Sequence, residues 1–370
     1  MYDRLAAATG GFAAGRRIGV GATGEVFSGD LGGERIAVKR LRLPVGAAAG
    51  DRVDLRRRFE AEVRALAHFR HPRIVQLLCH GVSGDGAAAA PFVIALEYLE
   101  GGSLADWLRG RDGSAPARAW RGGRGLPALL RLDIAIGAGV GLAYLHGMRE
   151  PVEAGGGGGG GGSGSPRVLH RDVKSANIGL AMMGEAVYAK ILDCGLAKAL
   201  RGDDPAAGVS FSSGIAGTPG YMADEVVDGE YTVASEIYSF GVTLLELLSG
   251  QCVEATTARR VRKARAYATM VEPGVWPPAA SEALAALVAE CLAFDADARP
   301  ADMGAVLDRL RALRERVVGA PPALLLCATC GDEGGVEAGR DGRGACGGCR
   351  RIAGVIAMQE QMARSLAAIE

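Results

Sequence analysis

Residues 170–177 read HRDVKSAN and place several chemically distinct side chains within one short segment. In phosphoryl transfer an aspartate can accept the proton of the attacking hydroxyl, a lysine can neutralise charge on the moving group, and an asparagine can hold a metal ion beside it. Asp172, Lys174 and Asn177 carry these side chains here. The segment therefore predicts a phosphotransfer loop, and the plainer alternative is a polar surface loop with an Arg/Asp pair.

A glycine-rich stretch near the amino terminus fits a nucleotide-binding hairpin. Short β-like runs over residues 16–43 predict three antiparallel strands. The residues that fit the pattern GxGxxGxV are Gly19, Gly21, Gly24 and Val26. The dinucleotide-binding loop shares this spacing but opens a helix, whereas here the chain continues as a strand toward Lys39. We therefore expect Lys39 to pair the α and β phosphates of a nucleotide, the alternative being an exposed lysine at a strand end.

Two further segments predict the surroundings of that lysine. Residues 51–69 have helical periodicity, and Glu62 on this helix is the candidate ion-pair partner of Lys39, or else a solvated glutamate. The apolar run that ends near residue 99 predicts a buried strand. Leu96 would line the back of a nucleotide pocket, and the backbone from Glu97 to Leu99 would form hydrogen bonds with an adenine.

AKIL, after the segment HRDVKSAN, predicts a further strand. Asp193 comes directly after this strand, and the flexible Gly195 comes two residues later. A carboxylate at this place can bridge a metal ion to the β and γ phosphate oxygens. The loop that follows contains five possible phosphoacceptors, which are Ser210, Ser212, Ser213, Thr218 and Tyr221. A phosphate there would pair with Arg171 and order the loop, and the alternative is a plain serine-rich loop.

Composition restricts the class of protein. The chain has 370 residues, 49% of them hydrophobic, which suffices for one large two-lobed domain or for two ordinary ones. The formal net charge is +0, so charge gives no reason to expect nucleic acid or an anionic membrane as a partner. The apolar stretches are too short or too interrupted to span a membrane, and no signal-peptide core is present. These observations predict a soluble, cytoplasmic protein.

Taken in order, the motifs resemble a eukaryotic-type protein kinase domain over residues 12–317. The phrases LAAATGGFAAGRRIGVG, IAVKRL, HRDVKSAN, GTPGYM and SEIYSFGVTLLELLSG are similar to those of the receptor-like and interleukin-receptor-associated serine/threonine group. The resemblance implies an α+β, two-lobed fold, with a β-rich small lobe over about 12–97 and a mainly helical large lobe over about 102–317. Flexible insertions are expected at 109–125 and 151–165.

The resemblance also implies an activity and its cofactors. The chain would transfer the γ phosphoryl group of ATP to Ser or Thr hydroxyls of protein substrates, with Mg²⁺. Lys39 and Glu62 would form the activating ion pair, and Asp172 would orient or deprotonate the substrate hydroxyl. Residues implied to bind the nucleotide or its metal are Gly19, Gly21, Gly24, Val26, Ala37, Lys39, Glu97, Leu99, Asn177 and Asp193. The magnesium ligands would be Asn177 and Asp193, and a buried ion pair would join Glu225 to Arg299.

Four positions depart from the family pattern. Cys194 replaces a phenylalanine, Asp224 replaces a proline beside the expected ion pair, Glu236 replaces a bracing aspartate, and Gly179 replaces a large apolar residue under the adenine. A methylene more at Glu236 could misplace its hydrogen bond, and Gly179 would weaken nucleotide affinity. The alternative function is therefore a pseudokinase scaffold that binds partners without catalysis.

Four cysteines near the carboxyl terminus have the spacing C-x2-C-x15-C-x2-C. Cys327, Cys330, Cys346 and Cys349 therefore predict a structural tetrathiolate zinc site in a segment over 321–370. Two disulfides are the competing interpretation. A terminal helix over 351–369 would pack within the chain or against a partner.

Overall fold

The computed structural model describes residues 1–21, 24–43, 49–84, 91–109, 126–147, 168–183, 186–199, 209–210, 216–318, 336–337 and 345–346. These residues form two compact units. Unit 1 contains Met1–Leu99 and Asp193–Gly195, and unit 2 contains Glu100–Leu192 and Leu196–Cys346. The predicted terminal helix and the predicted insertions, Arg109 apart, lie outside the described residues.

Unit 1 is built on a five-stranded antiparallel sheet. Its strands are β1 (Arg17–Gly21), β2 (Gly24–Leu31), β3 (Glu34–Leu41), β4 (Leu77–Val82) and β5 (Phe92–Glu97). Their order across the sheet is β1-β2-β3-β5-β4. Burial alternates along β2, as expected for a strand with one face in the core. The three strands predicted for residues 16–43 are confirmed.

Two helices flank this sheet. The first, α1 (Tyr2–Ala8), buries Leu5 against Ile36, Val38 and Val93 of the sheet. The second, α2 (Ala49–His68), confirms the predicted helix and begins two residues before the predicted start.

The segment HPRIVQLL, although its second half is apolar, does not begin as a strand, because β4 begins only at Leu77. The side-chain amide of Gln76 donates to the carbonyl oxygens of His71 and Ile74 and stabilises a turn there instead.

Unit 2 is mainly helical. Its helices are α3 (Leu104–Leu108), α4 (Ala128–Leu145), α5 (Asp224–Val227), α6 (Val233–Ser249), α7 (Thr257–Ala264), α8 (Pro278–Cys291) and α9 (Met303–Val318). The central helix α6 begins with a capping box between Thr232 and Ser235 and ends at Gly250 in the left-handed conformation. In the described part of the chain, α4 alone has the length and hydropathy of a membrane span, but 72% of that stretch is buried in the core. We therefore assign α4 to the core of unit 2.

The strands of unit 2 are short and form pairs. They are β6 (Val168–Leu169), β7 (Ile178–Met183), β8 (Ala186–Ile191), β9 (Lys198–Ala199), β10 (Val209–Ser210), β11 (Glu230–Tyr231), β12 (Val336–Glu337) and β13 (Ala345–Cys346). The pairs are β6 with β9, β7 with β8, β10 with β11, and β12 with β13. The segment HRDVKSAN connects β6 to β7, so both of its ends are fixed by strand pairing. The division into a β-rich amino-terminal part and a mainly helical remainder agrees with the predicted fold class.

Candidate active site

In unit 1 a buried lysine is held between two carboxylates. Lys39 lies on β3, and its Nζ donates to Glu62 Oε1 of α2 at 2.7 Å and to Asp193 Oδ1 at 2.7 Å. Burial by itself lowers the pKa of Lys39, but the charges of Glu62 and Asp193 outweigh this effect and raise it. The ammonium therefore stays charged. Burial also raises the pKa of Glu62, although Lys39 opposes the change.

Gly195 packs directly against this cluster. A Cβ at Gly195 would lie 3.0 Å from Asp193 Oδ1 and 3.1 Å from Glu62 Oε2, so any side chain there would push the carboxylates away. The close approach explains the glycine better than flexibility does. Cys194, which precedes it, is buried, so the thiol takes the place of the expected ring inside the protein.

The glycine-rich strands β1 and β2 use their glycines in two different ways. A Cβ at Gly24 would lie 2.1 Å from the carbonyl oxygen of Arg40, so the sheet itself requires glycine there. At Gly19 and Gly21 the nearest atoms would lie 3.7 Å and 4.0 Å from an added Cβ, which are ordinary van der Waals distances. The sheet therefore does not require glycine at these two positions, whereas close approach of the backbone to a phosphate would.

Glu25, the residue between Gly24 and Val26, has a structural role that its sequence position did not indicate. Its carboxylate accepts hydrogen bonds from Arg40 at 2.8 Å, from Arg42 at 2.9 Å and from Arg17 at 3.1 Å. The hydrogen bond from Arg40 is the main cause that lowers the pKa of Glu25 to about 2. Glu25 therefore ties β1, β2 and β3 together next to Lys39. Arg40 is the cross-strand partner of Glu25 in the β2–β3 hairpin and Arg42 follows it closely, whereas Arg17 comes from β1. The strand register, which the sequence did not fix, brings these groups together.

The other residues predicted to bind a nucleotide lie on neighbouring strands. Val26 pairs with Lys39 across β2 and β3, and Ala37 is buried opposite Leu96 of β5. The amide of Glu97 donates to the carbonyl of Gln76 at 3.0 Å. The nucleotide-binding role of these residues stays a prediction, as does that of Leu99.

In unit 2 the side chains of HRDVKSAN converge on Asp172. Lys174 Nζ donates to Asp172 Oδ2 at 2.8 Å, and Asn177 Nδ2 donates to the same oxygen at 2.9 Å. Asn177 Nδ2 also donates to the backbone carbonyl of Asp172 at 2.8 Å. Because both amide protons of Asn177 are used, its remaining polar atom is Oδ1, the atom type that magnesium prefers.

A threonine hydroxyl completes this cluster. Thr218 Oγ1 donates to Asp172 Oδ1 at 2.6 Å and accepts from Lys174 Nζ at 2.6 Å. Tyr221 is engaged as well, because its hydroxyl donates to Glu246 Oε1 at 2.6 Å. Burial raises the pKa of Tyr221. These contacts argue against Thr218 and Tyr221 as phosphoacceptors in this conformation. Of the other predicted acceptors, Ser212 and Ser213 lie outside the described residues.

Buried polar side chains stabilise the backbone of the segment HRDVKSAN. The amide of Arg171 donates to Glu236 Oε1, and Glu236 Oε2 lies 2.7 Å from Nε2 of His146. His170 contacts the carbonyl of Leu192 through Nε2 at 2.8 Å and accepts from the amide of Asp172. The longer side chain of Glu236 therefore still reaches the loop, and the misplacement expected from sequence does not occur.

The other departures are also accommodated. Asp224 forms ion pairs with Arg262 at 2.7 Å and with Arg259 at 2.9 Å, so its charge is neutralised locally. The ion pair predicted between Glu225 and Arg299 is present at 2.5 Å.

Gly179 lies in β7 opposite Lys190. Its predicted effect on nucleotide affinity stays a prediction.

The predicted zinc ligands fall largely beyond the described chain. Cys327, Cys330 and Cys349 lie outside the described residues, and only the backbone of Cys346 is described, in β13. Within the described ranges, no group of three or more His, Cys, Asp or Glu side chains could hold a metal ion.

Comparison with known proteins places these clusters in context. A family model described as "Protein kinase domain" matches residues 12–309. The receptor-like serine/threonine-protein kinase NCRK of Arabidopsis thaliana is 33% identical over 319 residues, which are 81% of this chain and 50% of that protein. A probable receptor-like protein kinase of the same plant is 31% identical over 338 residues, which are 86% of this chain and 82% of that protein. The chain spans half the length or less of most of the plant relatives it matches.

Proposed function

Because this chain belongs to the protein kinase domain family, we propose that it is an ATP-dependent protein serine/threonine kinase. Protein kinase domains use ATP and Mg²⁺, and the two clusters described above have the chemistry for both. Unit 1 supplies a charged, buried lysine between carboxylates. Unit 2 supplies a carboxylate base, a cation and an amide oxygen.

Each side chain has a defined role in this proposal. Asp172 orients the substrate hydroxyl and accepts its proton as the hydroxyl oxygen bonds to the γ phosphorus. The bond from that phosphorus to the oxygen of the leaving ADP breaks, and Lys174 stabilises the negative charge on the transferring group. Lys39 binds the α and β phosphates, and Glu62 keeps Lys39 in place. Magnesium, when bound, would neutralise phosphate charge, and Asn177 and Asp193 are its proposed ligands.

The observation that carries the proposal is the hydroxyl of Thr218 at Asp172. An aliphatic hydroxyl from the chain itself donates to Asp172 Oδ1 and accepts from Lys174 Nζ. A serine or threonine of a substrate would need the same kind of contacts to lose its proton to Asp172. The cluster is thus suited to aliphatic hydroxyl acceptors. Its intact hydrogen bonds favour the kinase over the pseudokinase scaffold.

Thr218→Val tests this assignment, because valine has nearly the same shape but lacks the hydroxyl. We expect kcat to fall on the order of 10- to 100-fold, since two hydrogen bonds with charged groups are lost. Thr218→Ser, which keeps the hydroxyl, should retain most of the activity. The measurement is transfer of labelled phosphate from ATP to a protein substrate, followed by identification of the phosphorylated residues.

Three results would count against these proposals. Wild-type activity in Thr218→Val would remove the role given to the threonine. Phosphate found mainly on tyrosine would contradict the acceptor class. Absence of transfer by the folded wild type, with several generic substrates tried, would favour the scaffold.

We also propose a cytoplasmic location and protein substrates. ATP and magnesium are available in that compartment, and thiols stay reduced there. The free thiols of Cys79, Cys252 and Cys291 support this location. The zero net charge supports a protein partner over nucleic acid.

For the carboxyl-terminal cysteines we propose a structural zinc ion. Four thiolates satisfy the tetrahedral preference of zinc and leave no open position for catalysis. The antiparallel pairing of Val336–Glu337 with Ala345–Cys346 folds the spacer between the two CxxC pairs back on itself, which supports the proposal.

The zinc site predicts a defined metal content. We expect about one zinc ion per purified chain by elemental analysis, as a single tetrathiolate site requires. Cys330→Ser should lose most of it, whereas Cys252→Ser, at a free thiol of unit 2, should keep it. Four cysteines that resist alkylation until a reductant is added, together with no zinc, would indicate two disulfides instead.

A further inference from the structure

We infer that Tyr231 is a positioning residue for phosphoryl transfer. It joins residues 216–218 to Arg171 and so keeps the hydroxyl of Thr218 at Asp172. The inference rests on the proposed kinase function and extends it to a residue that no motif of the sequence singled out. The contacts from which it is argued lie within unit 2.

The hydroxyl of Tyr231 holds one residue of the loop by both of its backbone groups. Tyr231 Oη accepts from the amide of Ala216 at 2.5 Å and donates to the carbonyl of Ala216 at 2.9 Å. The side chain of Tyr231 is buried, with 2% of its surface exposed, so water does not compete strongly for these bonds. A single hydroxyl therefore fixes the position of Ala216.

The ring of Tyr231 supports the residue that precedes Asp172. The guanidinium carbon of Arg171 lies 4.4 Å from the centroid of the ring, within the range of a cation–π interaction. Arg171 has a φ of +69°, a left-handed conformation that is costly for a residue with a side chain and must be stabilised by its surroundings. The ring on one side and Glu236 on the backbone amide supply that support.

Three consecutive residues, 216–218, are consequently linked to the segment HRDVKSAN. Ala216 is linked indirectly, because Tyr231 contacts both Ala216 and Arg171. Gly217 is so close that a Cβ would lie 3.0 Å from the carbonyl oxygen of Arg171. Thr218 bonds directly to Asp172. A shift at Ala216 would therefore be transmitted to the hydroxyl of Thr218 two residues later.

Tyr231 can act as an anchor because its own backbone is fixed on both sides. On one side it pairs with Val209 between β11 and β10. On the other it is followed by Thr232, whose side chain caps the buried helix α6 together with Ser235. Tyr231 thus transmits the rigidity of α6 to the loop that carries Thr218.

The test compares Tyr231→Phe with Tyr267→Phe in the full-length chain. Phenylalanine at 231 keeps the ring under Arg171 but removes both hydrogen bonds to Ala216. Tyr267 is also buried in unit 2, and its hydroxyl makes no hydrogen bond within the described ranges, so it is the matched control. Four quantities are measured: hydrogen exchange of the Ala216 amide, kcat with a protein substrate, the KM for ATP, and the melting temperature.

We expect exchange at Ala216 to become about 10-fold faster in Tyr231→Phe and kcat to fall by about 10-fold. Loss of the two hydrogen bonds corresponds to a change of about tenfold in an equilibrium or rate constant. The KM for ATP and the melting temperature should change little. Tyr231→Leu, which also removes the ring, should lower kcat further. Tyr267→Phe should match the wild type in all four quantities.

Two outcomes would overturn the inference. Exchange and kcat of Tyr231→Phe equal to those of the wild type would show that the hydroxyl does not position the loop. A fall in melting temperature and in ATP affinity that parallels the fall in kcat would make Tyr231 a residue of the fold only. If the wild type itself transfers no phosphate, the kinase proposal fails, and the exchange rate at Ala216 alone still decides the positioning claim.

Discussion

Asp172→Asn is expected to lower kcat on the order of 100- to 10,000-fold, the range associated with loss of a general base. Asparagine fills nearly the same volume but cannot accept a proton at neutral pH. Its amide oxygen could still accept from Lys174 Nζ and Asn177 Nδ2, but without the negative charge of Asp172, and its NH2 group would then face the hydroxyl of Thr218, which now donates to Asp172 Oδ1. The variant therefore loses both the base and the charge that organises the cluster.

The measurement is transfer of labelled phosphate from ATP by the purified full-length chain. Asp308→Asn is the matched control, because Asp308 is a largely exposed aspartate on α9 with a single loose ion pair to Arg311. Its activity should equal that of the wild type. Asp172→Asn should still bind ATP, because Asp172 is proposed to act on the acceptor hydroxyl. The increase in melting temperature when ATP is added measures this binding. Activity of Asp172→Asn within a few fold of the wild type would remove Asp172 from the catalytic role.

Short motifs predicted the parts of the site whose residues are fixed by local geometry. HRDVKSAN must bend sharply, so its Asp, Lys and Asn were expected to meet, and the structure brings them together at Asp172. The pairing of Lys39 with Glu62 needed an additional assumption, that a helix after β3 packs back on the sheet. Periodicity located this helix, and the hydrophobic face carrying Phe59 indicated how it packs.

Contacts that depend on tertiary position alone could not be predicted. Glu25 binds Arg17 of β1 as well as Arg40 and Arg42 of the neighbouring hairpin strand and the residues after it, and this set depends on the register of three strands. Tyr231 reaches Ala216 and Arg171 across loops of unit 2, and no residue next to it in sequence indicates these partners. Thr218 was predicted only as a phosphoacceptor. A threonine in a serine-rich loop gives no indication in the sequence that its hydroxyl contacts Asp172.

The effect of substitutions was also hard to predict from type alone. One methylene more at Glu236 suggested a misplaced hydrogen bond, yet the carboxylate reaches both the amide of Arg171 and His146. Asp224 suggested an uncompensated charge, but α7 supplies Arg259 and Arg262. In both cases the compensating groups come from distant segments, so a position-by-position comparison with a family overestimates the damage.

Glu225→Ala is expected to reduce the free energy of unfolding of unit 2 by about 3 kcal/mol, the lower end of the range for removing one partner of a buried ion pair. The side chain of Arg299 is 0% exposed, and its guanidinium donates to both carboxylate oxygens of Glu225. Without Glu225 the guanidinium of Arg299 would be buried without a carboxylate partner. Backbone carbonyls of Ala293, Ala234 and Phe294 still accept from it, which is why we expect the lower end.

Unfolding in denaturant, monitored by tryptophan fluorescence, is the suitable measurement, because the described tryptophans, Trp107 and Trp276, are buried in unit 2. The control is Glu290→Ala, which breaks the pair with Arg309. Both of those side chains are more than 40% exposed, so the loss should be about 0–1 kcal/mol.

The double variant Glu225→Ala, Arg299→Met separates the cost of a buried charge from the value of the pair. If most of the loss in Glu225→Ala comes from the buried, unpaired charge of Arg299, removing that charge should restore part of the stability. The double variant should then be more stable than Glu225→Ala alone. A double variant less stable than Glu225→Ala would instead mean that the carbonyl contacts of Arg299 stabilise unit 2 more than its buried charge destabilises it.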